Sequence, residues 1–208
     1  MGDMTDKAQL RARLREARTR IPPQVAAAAA QGIAARALAF LLETSRALDP
    51  ACTPVALYAA LPGELDCAPL LEALAAKGFP TLLPVAGARA TPLAFRVWKP
   101  GEPLVCGRFG LREPGAAAPE KTPKILFAPL LGFDGEGTRL GFGSGYYDST
   151  LAHLRREGPI LAGGLAFSCQ KAEKIPREKH DERLDFVVTE ADVFQFTESS
   201  CAFSSSAT

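Results

Sequence analysis

The distribution of apolar and polar residues predicts helices that are separated by short buried strands. Segments with apolar residues three or four positions apart cover residues 5–20, 24–43, 67–78 and 146–158. Thr5 or Asp6 can cap the first segment, and Pro22-Pro23 ends it, because proline cannot continue a helix. Gly78 stands at the C′ position of the third segment, where glycine is favoured.

Short apolar runs between these helices predict the strands. Runs typical of buried strands cover residues 55–59, 79–85, 124–134, 159–167 and 184–190. Within residues 93–104, an apolar-polar alternation predicts a more exposed strand, which is followed by a loop around Pro100-Gly101. The run at 124–134 is apolar almost throughout, which is typical of a central strand buried on both faces. Residues 109–123 are rich in proline, glycine and alanine without periodicity, so we expect a loop there.

The alternation of strands and helices favours an α/β fold with a mostly parallel central sheet and helices on both faces, in three layers. We expect residues 1–196 to form a single domain of this kind. Residues 197–208 are rich in serine and carry no pattern, which indicates a tail that is disordered or not native.

Composition and charge narrow the possible partners. The chain has 208 residues, 47% of them apolar, and a net charge of +1, so no global field attracts nucleic acid or an anionic membrane. Its five cysteines form no C-x-x-C pair and there are two histidines, which argues against a Cys/His metal cage and favours reduced thiols in the cytoplasm. No apolar run is expected to span a membrane, and the N-terminal segment lacks the apolar centre of a secretory signal.

A glycine-rich loop directly precedes the fourth predicted helix. Gly141, Gly143 and Gly145 alternate with other residues, so the loop can turn bare backbone N–H groups toward an anion at a helix N-terminus. The loop also follows the most apolar strand, where ligands bind in α/β sheets, and Arg139 beside it can bind phosphate oxygens. It matches neither the P-loop nor the dinucleotide fingerprint, and a structural turn accounts for its composition about as well. Ser144 is not in a nucleophile-elbow context.

Three carboxylates are candidates for a chemical role. Asp148 follows the glycines and is either a first-turn acid, favoured by the helix dipole, or a ligand of Mg²⁺. Asp185 interrupts an apolar strand, where a carboxylate is costly to bury unless it is paired or bound to metal. Glu64 follows the first strand and alone is typical of a surface turn.

Basic residues line one face of the first predicted helix. Lys7 and Arg11 are one turn apart, and Arg15 and Arg18 continue the stripe. Such a stripe is typical of a solvated face, and the alternative is a pair of cations that reach a triphosphate. His180 lies in a charged segment and is more typical of an exposed histidine than of a general base.

Taken in order, these stretches resemble the 5-formyltetrahydrofolate cyclo-ligase family, whose members are also called methenyltetrahydrofolate synthetases. The resemblance begins with KAQLR at residues 7–11 and LPGELDCAPLLEALAAKG at 61–78, and continues with GLREP at 110–114. Its longest block is ILFAPLLGFDGEGTRLGFGSGYYD at 125–148, and it ends with AFSCQ at 166–170 and IPREKHDERLDFVVTE at 175–190. The F-D-x-x-G-x-R-L-G stretch with the following glycines and tyrosines is specific, and the order of the rest makes chance an improbable explanation.

The resemblance implies an enzyme that uses ATP and Mg²⁺ to convert 5-formyltetrahydrofolate into 5,10-methenyltetrahydrofolate, with release of ADP and phosphate, through a phosphorylated formyl group (an iminium phosphate). It implies a catalytic role for Arg139 and Tyr147. The implied ATP-binding residues are Lys7, Arg11, Arg139, Leu140, Gly141, Phe142, Gly143, Ser144, Gly145, Tyr146 and Tyr147. The implied folate-binding residues are Ala59, Glu64, Phe142, Gly143, Ser144, Gly145 and Tyr146, and the implied Mg²⁺ ligands are Asp148 and Asp185.

Phosphoryl transfer needs positioning and charge stabilisation more than a covalent nucleophile, which agrees with the absence of a triad motif from the sequence. The chain departs from the family at Ser144, where most members have glycine or lysine. We expect a cytoplasmic monomer that binds neither nucleic acid nor membrane. Two other functions stay open at this point: a nucleotide- or folate-binding module without turnover, and a different enzyme on a similar sheet, such as a sugar-phosphate isomerase or an acyl-CoA transferase.

Overall fold

The computed structural model describes residues 3–44, 49–89 and 91–196. Its helices are α1 (Asp3–Thr19), α2 (Pro23–Thr44), α3 (Ala68–Ala76) and α4 (Tyr146–Glu157). Its strands are β1 (Val55–Ala56), β2 (Thr81–Val85), β3 (Ala94–Val97), β4 (Leu104–Cys106), β5 (Arg112–Pro114), β6 (Ile125–Ala128), β7 (Gly132–Phe133), β8 (Arg139–Leu140), β9 (Leu161–Leu165), β10 (Phe186–Val188) and β11 (Val193–Gln195). All four predicted helices are confirmed within a few residues, whereas the predicted tail at 197–208 lies outside the described residues.

Seven strands form the central sheet in the order β11-β10-β9-β6-β1-β2-β3. The inner pairs β10/β9, β9/β6, β6/β1 and β1/β2 are parallel, and the edge strands β3 and β11 pair antiparallel to their neighbours. Strand β6 is central and completely buried, as its apolar sequence predicts. The predicted α/β fold with a mostly parallel sheet is therefore confirmed.

Successive strand residues point alternately into two apolar layers, one on each face of the sheet. Val55 and Ile125 point to the layer that contains α2 and α3, whereas Ala56 and Leu126 point to the layer that contains α4. Helix α1 lies apart from both and packs through Leu10 and Leu14 on a small cluster formed by Leu140, Ala172 and Ile175. The sheet thus lies between helices on both of its faces, and α1 lies over the segment that leads to the glycine loop.

Helix α2 is long and apolar enough to cross a membrane by length and composition alone, with a mean hydropathy of 1.7. This differs from the expectation that no segment would reach that length, and its many alanines account for the difference. In the structure, Ile33, Ala37 and Leu41 of α2 are fully buried in the core. Arg36 of the same helix donates hydrogen bonds to the carbonyl oxygens of Thr189 and Glu190. Helix α2 is therefore a core helix of this fold.

Two short hairpins were not expected from the sequence. Strands β4 and β5 pair antiparallel, although residues 109–123 are predicted to be a loop throughout. Strands β7 and β8 form the second hairpin, in which Phe133 pairs with Arg139. Asp134 fixes the turn between β7 and β8, because its carboxylate accepts hydrogen bonds from the backbone N–H groups of Glu136, Thr138 and Ile175. This hairpin delivers the chain to the glycine loop.

Candidate active site

A cavity of about 390 Å³ opens at the carboxyl ends of β1, β2 and β6. Its wall includes residues that follow these strands, Tyr58 and Ala59 after β1, Ala86 after β2 and Pro129 after β6. A second part of the wall is the glycine loop with the start of α4, from Gly141 to Asp148. The site thus lies at the edge of the sheet where ligands bind in α/β folds, as its position after the most apolar strand predicts.

The glycines of the loop have different backbone requirements. Gly143 has φ +91° and Gly145, the N-cap of α4, has φ +74°, so both adopt the left-handed conformation that favours glycine. Gly141 has no positive φ, and a side-chain carbon placed on it would meet no atom within 4 Å. The absence of a side chain at Gly141 is therefore not explained by backbone conformation or by packing inside the chain.

Arg139 and Asp148 form an ion pair at the base of the loop. The distance from Nη2 of Arg139 to Oδ1 of Asp148 is 2.8 Å, and the Arg139 side chain is only 3% exposed. Oδ1 of Asp148 also accepts a hydrogen bond of 3.2 Å from the backbone N–H of Glu182. Nε of Arg139 is buried and finds no hydrogen-bond acceptor among the described residues, and the Tyr147 ring lies 5.6 Å from its guanidinium carbon. The cation is thus held in place while part of its hydrogen-bonding capacity remains unused.

Of the two candidate cations on helix α1, Arg11 lines the cavity and Lys7 does not. Nε of Arg11 donates a 3.0 Å hydrogen bond to the carbonyl oxygen of Gly141, and Arg11 lines the cavity. Lys7 does not line it, because its ammonium group is paired with Glu178 at 3.0 Å and with Asp181 at 2.9 Å. The structure therefore brings Arg11 and the glycine loop together, and it holds Lys7 against the 178–181 segment.

Asp185 and Leu140 also lie outside the cavity wall. Oδ2 of Asp185 accepts a 2.7 Å hydrogen bond from the backbone N–H of Ala162, and Oδ1 lies 3.5 Å from Nη2 of Arg155. Burial raises the pKa of Asp185, while Ala162 and Arg155 act in the opposite direction. The pairing that a buried carboxylate needs is thus supplied by the protein, so its burial alone no longer indicates a metal. Leu140 is buried in the cluster under α1.

The remaining wall is largely apolar and contains Glu64. Oε2 of this half-buried residue accepts a hydrogen bond from the backbone N–H of Leu61, 2.9 Å away. Burial raises the pKa of Glu64, and the Leu61 N–H and the nearby Arg18 cation oppose the rise. The apolar part of this wall consists of Tyr58, Leu61, Pro84, Leu93 and Leu111. The cavity thus combines a cationic glycine wall with an apolar wall that carries one carboxylate.

Comparison with known proteins agrees with this arrangement. Residues 3–190 match the model of the 5-formyltetrahydrofolate cyclo-ligase family. The chain belongs to the 5-formyltetrahydrofolate cyclo-ligase family. It is 36% identical over 149 residues to the 5-formyltetrahydrofolate cyclo-ligase of Escherichia coli K12, which covers 68% of this chain and 80% of the relative. It is 32% identical over 178 residues to that of Haemophilus influenzae, covering 83% of this chain and 91% of the relative.

Solved structures agree in fold with this cyclo-ligase family member. The 5,10-methenyltetrahydrofolate synthetase of Aquifex aeolicus superposes with a TM-score of 0.74 at 27% identity, over 92% of this chain and 93% of that one. A 5,10-methenyltetrahydrofolate synthetase of Mycoplasma pneumoniae superposes with a TM-score of 0.69 at 24% identity, over 89% of this chain and 99% of that one, and supports the fold. Enzymatic activity of the cyclo-ligase class is thus supported by both sequence and structure.

Sequence reasoning missed two arginines that line this cavity. Arg89 and Arg112 line the cavity, but they come from an irregular segment and from the unexpected strand β5, where no spacing indicated a site. Arg112 lies within the GLREP stretch, which was the one signal that could have identified it. Arg18 was expected on a solvated face, yet it is only 8% exposed.

The carboxylates of the site provide few ligands for a metal ion. Within residues 3–44, 49–89 and 91–196, no group of three or more His, Cys, Asp or Glu side chains converges on one point. Asp148, however, lies in the cavity wall with the glycine loop. Mg²⁺ takes only one or two protein carboxylates when it is bound together with substrate phosphates, and it keeps several waters. Asp148 fits such a shared site, whereas a site made of protein ligands alone does not fit the described residues.

Proposed function

We propose that this chain catalyses the ATP- and Mg²⁺-dependent cyclisation of 5-formyltetrahydrofolate to 5,10-methenyltetrahydrofolate. The observation that supports the proposal best is one cavity lined both by a glycine loop with Arg139 and Arg11 and by an apolar wall with Glu64. Backbone N–H groups, a helix N-terminus and arginines suit the phosphates of ATP. An apolar surface with one carboxylate suits an aromatic ring system that carries N–H donors.

The chemistry that this site would support needs no covalent bond to the protein. The formyl oxygen attacks the terminal phosphorus of ATP, and the bond to ADP breaks as the P–O bond to the formyl group forms. The second folate nitrogen then attacks the activated carbon, loses its proton and closes the five-membered ring. The C–O bond breaks with departure of phosphate, which leaves the conjugated methenyl product. Positioning of the reactants and stabilisation of the transferred phosphoryl group would be the enzyme's contribution.

Each wall would then have a distinct task. Arg139, with a buried Nε that has no acceptor in the described structure, would donate to the transferred phosphoryl group, and Tyr147 beside it would help to exclude water. Arg11 would hold the loop through the carbonyl of Gly141 and add positive charge. Glu64 and Ala59 would contact the folate. The predicted contact of Lys7 with ATP would require Lys7 to leave Glu178 and Asp181.

Mg²⁺ would supply charge neutralisation of the ATP phosphates when it is bound. Asp148 is the residue of the cavity wall suited to hold it, since both hydrogen bonds that this carboxylate accepts here end on Oδ1. The predicted role of Asp185 as a second ligand would require the carboxylate to exchange its contact with Arg155 for the metal. Separate substitutions of the two aspartates can therefore test each role.

Incubation of the protein with 5-formyltetrahydrofolate and Mg-ATP tests the proposal. We expect the absorbance of the conjugated methenyl product to appear together with one ADP per product. Binding of either ligand without chromophore or ADP would replace the proposal with a binding module that has no turnover. Omission of Mg²⁺, or its removal by a chelator, is expected to abolish the rate and readdition to restore it.

We also propose that the enzyme acts as a monomer in the cytoplasm. The cysteines at 52, 67, 106 and 169 are free thiols, which suits a reducing compartment. The small net charge of +1 favours small-molecule substrates over nucleic acid or a membrane surface. Sedimentation of the protein during turnover would test the monomeric state.

A further inference from the structure

Arg18, near the end of helix α1, is a buried cation with unusual surroundings. The residue is 8% exposed, and its Nε is buried without a hydrogen-bond acceptor among the described residues. No carboxylate in the described part of the chain lies within 4.0 Å of its guanidinium group. An arginine is rarely buried without a partner, because loss of hydration is unfavourable for a charged group. An ion pair among the described residues therefore does not explain why Arg18 is buried.

Two segments lie close to this cation, the glycine loop and the turn that leads to Glu64. The guanidinium carbon of Arg18 lies 5.8 Å from the centroid of the Phe142 ring, which belongs to the glycine loop. Nη2 of Arg18 would lie 3.9 Å from a side-chain carbon placed on Gly63, the residue before Glu64. The positive charge of Arg18 also opposes the rise in the pKa of Glu64. Arg18 thus contacts the loop of one wall and influences the carboxylate of the other.

We infer that Arg18 is a positioning residue that holds the ring of Phe142 in the geometry that binds the folate and places a positive charge near the carboxylate of Glu64. The inference rests on the proposed function, because Phe142 and Glu64 are its proposed folate contacts. Phe142 is 39% exposed and has little packing of its own to fix its ring, so an attractive cation beneath it restricts the ring. The same cation favours the ionised form of Glu64, which accepts hydrogen bonds from N–H donors.

The charge effect has a defined sign. Loss of the Arg18 cation removes a contribution that lowers the pKa of Glu64, so the carboxylate will take up its proton at a higher pH. Among the described residues, Tyr58, Cys67 and Tyr147 also interact electrostatically with Glu64, and burial raises the pKa of all three. None of them supplies a positive charge that could replace Arg18. As the pH is lowered, folate affinity should therefore start to fall at a higher pH in a variant without this cation than in the wild type.

Arg18→Met and Arg18→Lys separate the charge from the shape of the side chain. We expect Arg18→Met to raise KM for 5-formyltetrahydrofolate about tenfold, a change that corresponds to loss of a cation–π contact of this kind together with the charge effect. KM for ATP should change less than threefold. The rise in KM for 5-formyltetrahydrofolate at acid pH, which is the acid limb of its pH profile, should begin at a higher pH. Arg18→Lys keeps the charge and should retain the wild-type position of that limb. Arg13→Met, on an exposed position of the same helix, is the matched control.

Equilibrium binding of 5-formyltetrahydrofolate without ATP completes the test. If wild-type protein binds folate but forms no product, the proposed function fails while the weaker binding by Arg18→Met still tests the inference. Equal KM, binding and pH dependence in wild type and Arg18→Met would overturn the inference and leave the proposed function intact. A parallel increase of both KM values with a fall in Tm, unrelieved in Arg18→Lys, would also overturn it, because it would indicate a purely structural role.

Discussion

Nη2 of Arg139 donates a 2.8 Å hydrogen bond to Oδ1 of Asp148 at the base of the glycine loop. The expected partner of Arg139 is a phosphate, and the expected partner of Asp148 is a metal ion. Arg139 belongs to β8 and Asp148 to the first turn of α4, and the glycine loop is the segment between them. The pair therefore closes the loop at its two ends. The ion pair keeps both side chains in position before the ligands bind. A phosphate bound to Arg139 and a metal ion bound to Asp148 would then replace it.

Asp148→Asn tests the carboxylate end of this pair. We expect kcat to fall by about 100-fold or more, with a higher Mg²⁺ concentration needed for half-maximal rate, because a neutral amide is a poor ligand for a hard cation. The fold should persist, since the asparagine oxygen can still accept the bonds from Arg139 and Glu182. Glu173→Gln, at an exposed position, is the control for loss of one negative charge. An unchanged Mg²⁺ dependence would remove the metal role of Asp148.

Asp185→Asn tests the predicted second ligand separately. If Asp185 binds the metal, as the resemblance implies, the variant will share the altered Mg²⁺ dependence of Asp148→Asn. The contacts of Asp185 with Ala162 and Arg155 also predict a lower Tm for this variant. A lower Tm with normal Mg²⁺ dependence would contradict the metal role and leave Asp185 as the residue that holds Arg155.

Gly141→Ala and Gly143→Ala distinguish ligand approach from backbone conformation. Gly143 has φ +91°, so an alanine there is strained by about 1 kcal/mol, which should lower Tm. Gly141 has no positive φ, and a side-chain carbon placed on it would meet no atom within 4 Å, so alanine should not lower the stability of the free protein. Both variants should have a higher KM for ATP if the phosphates approach this backbone closely. A Gly141→Ala enzyme with normal KM for ATP would refute a close approach at that residue.

Lys7→Met tests the ion pairs that hold α1 on the 178–181 segment. Burial alone would lower the pKa of Lys7, but the hydrogen bonds and charges of Asp181 and Glu178 outweigh it and raise the pKa above its ordinary value. The pKa of Asp181 is lowered, because bonds from the Glu178 N–H and from Lys7 outweigh its burial. The Lys7 contribution to stability is therefore present near neutral pH and is lost as the pH rises through its raised pKa. The Asp181 contribution is lost as the pH falls through its lowered pKa.

The difference in Tm between wild type and Lys7→Met should accordingly be largest near neutral pH. It should shrink above about pH 10.5 and below about pH 4, the ordinary pKa values of lysine and aspartate. Lys174→Met, at an exposed position, should show no such pH-dependent difference. A Tm difference that is constant from acid to alkaline pH would contradict a stabilising ion pair at Lys7.

Gly163→Ala tests the packing of the sheet. A side-chain carbon on Gly163 would overlap the ring of Phe186, which is fixed between Phe40 and Phe127. We expect a loss of about 1–3 kcal/mol in the free energy of unfolding, as for other overpacked cores. Gly32→Ala in α2 is the matched control, since it meets no atom within 4 Å and should stabilise the helix by about 0.5–1 kcal/mol. Equal Tm values for both variants would contradict this packing.

Much of the fold was predictable because the signals were local. The apolar run of β6 indicated a central strand, and the periodicity of α1 to α4 gave their positions within a few residues. The hairpins β4/β5 and β7/β8 were missed because strands of two or three residues are too short to show an alternation. Such strands are determined by pairing partners that only the folded chain brings together.

The candidate site was predictable to a similar extent and for the same reason. The glycine loop, Arg139 and Asp148 are contiguous in sequence, and the structure places them in one cavity wall. Lys7 pairs with Glu178, which is 171 positions away in the sequence. Arg18 lies close to Gly63 and Phe142, which are also distant from it in the sequence. Contacts of that range leave no periodicity or spacing in the sequence from which they could be inferred.

The most direct test of the account is the yield of methenyl chromophore per ATP consumed by the wild-type protein. We expect one 5,10-methenyltetrahydrofolate and one ADP for each 5-formyltetrahydrofolate converted, with no product when ATP or Mg²⁺ is omitted. Folded protein that binds both substrates but forms neither chromophore nor ADP would contradict the account.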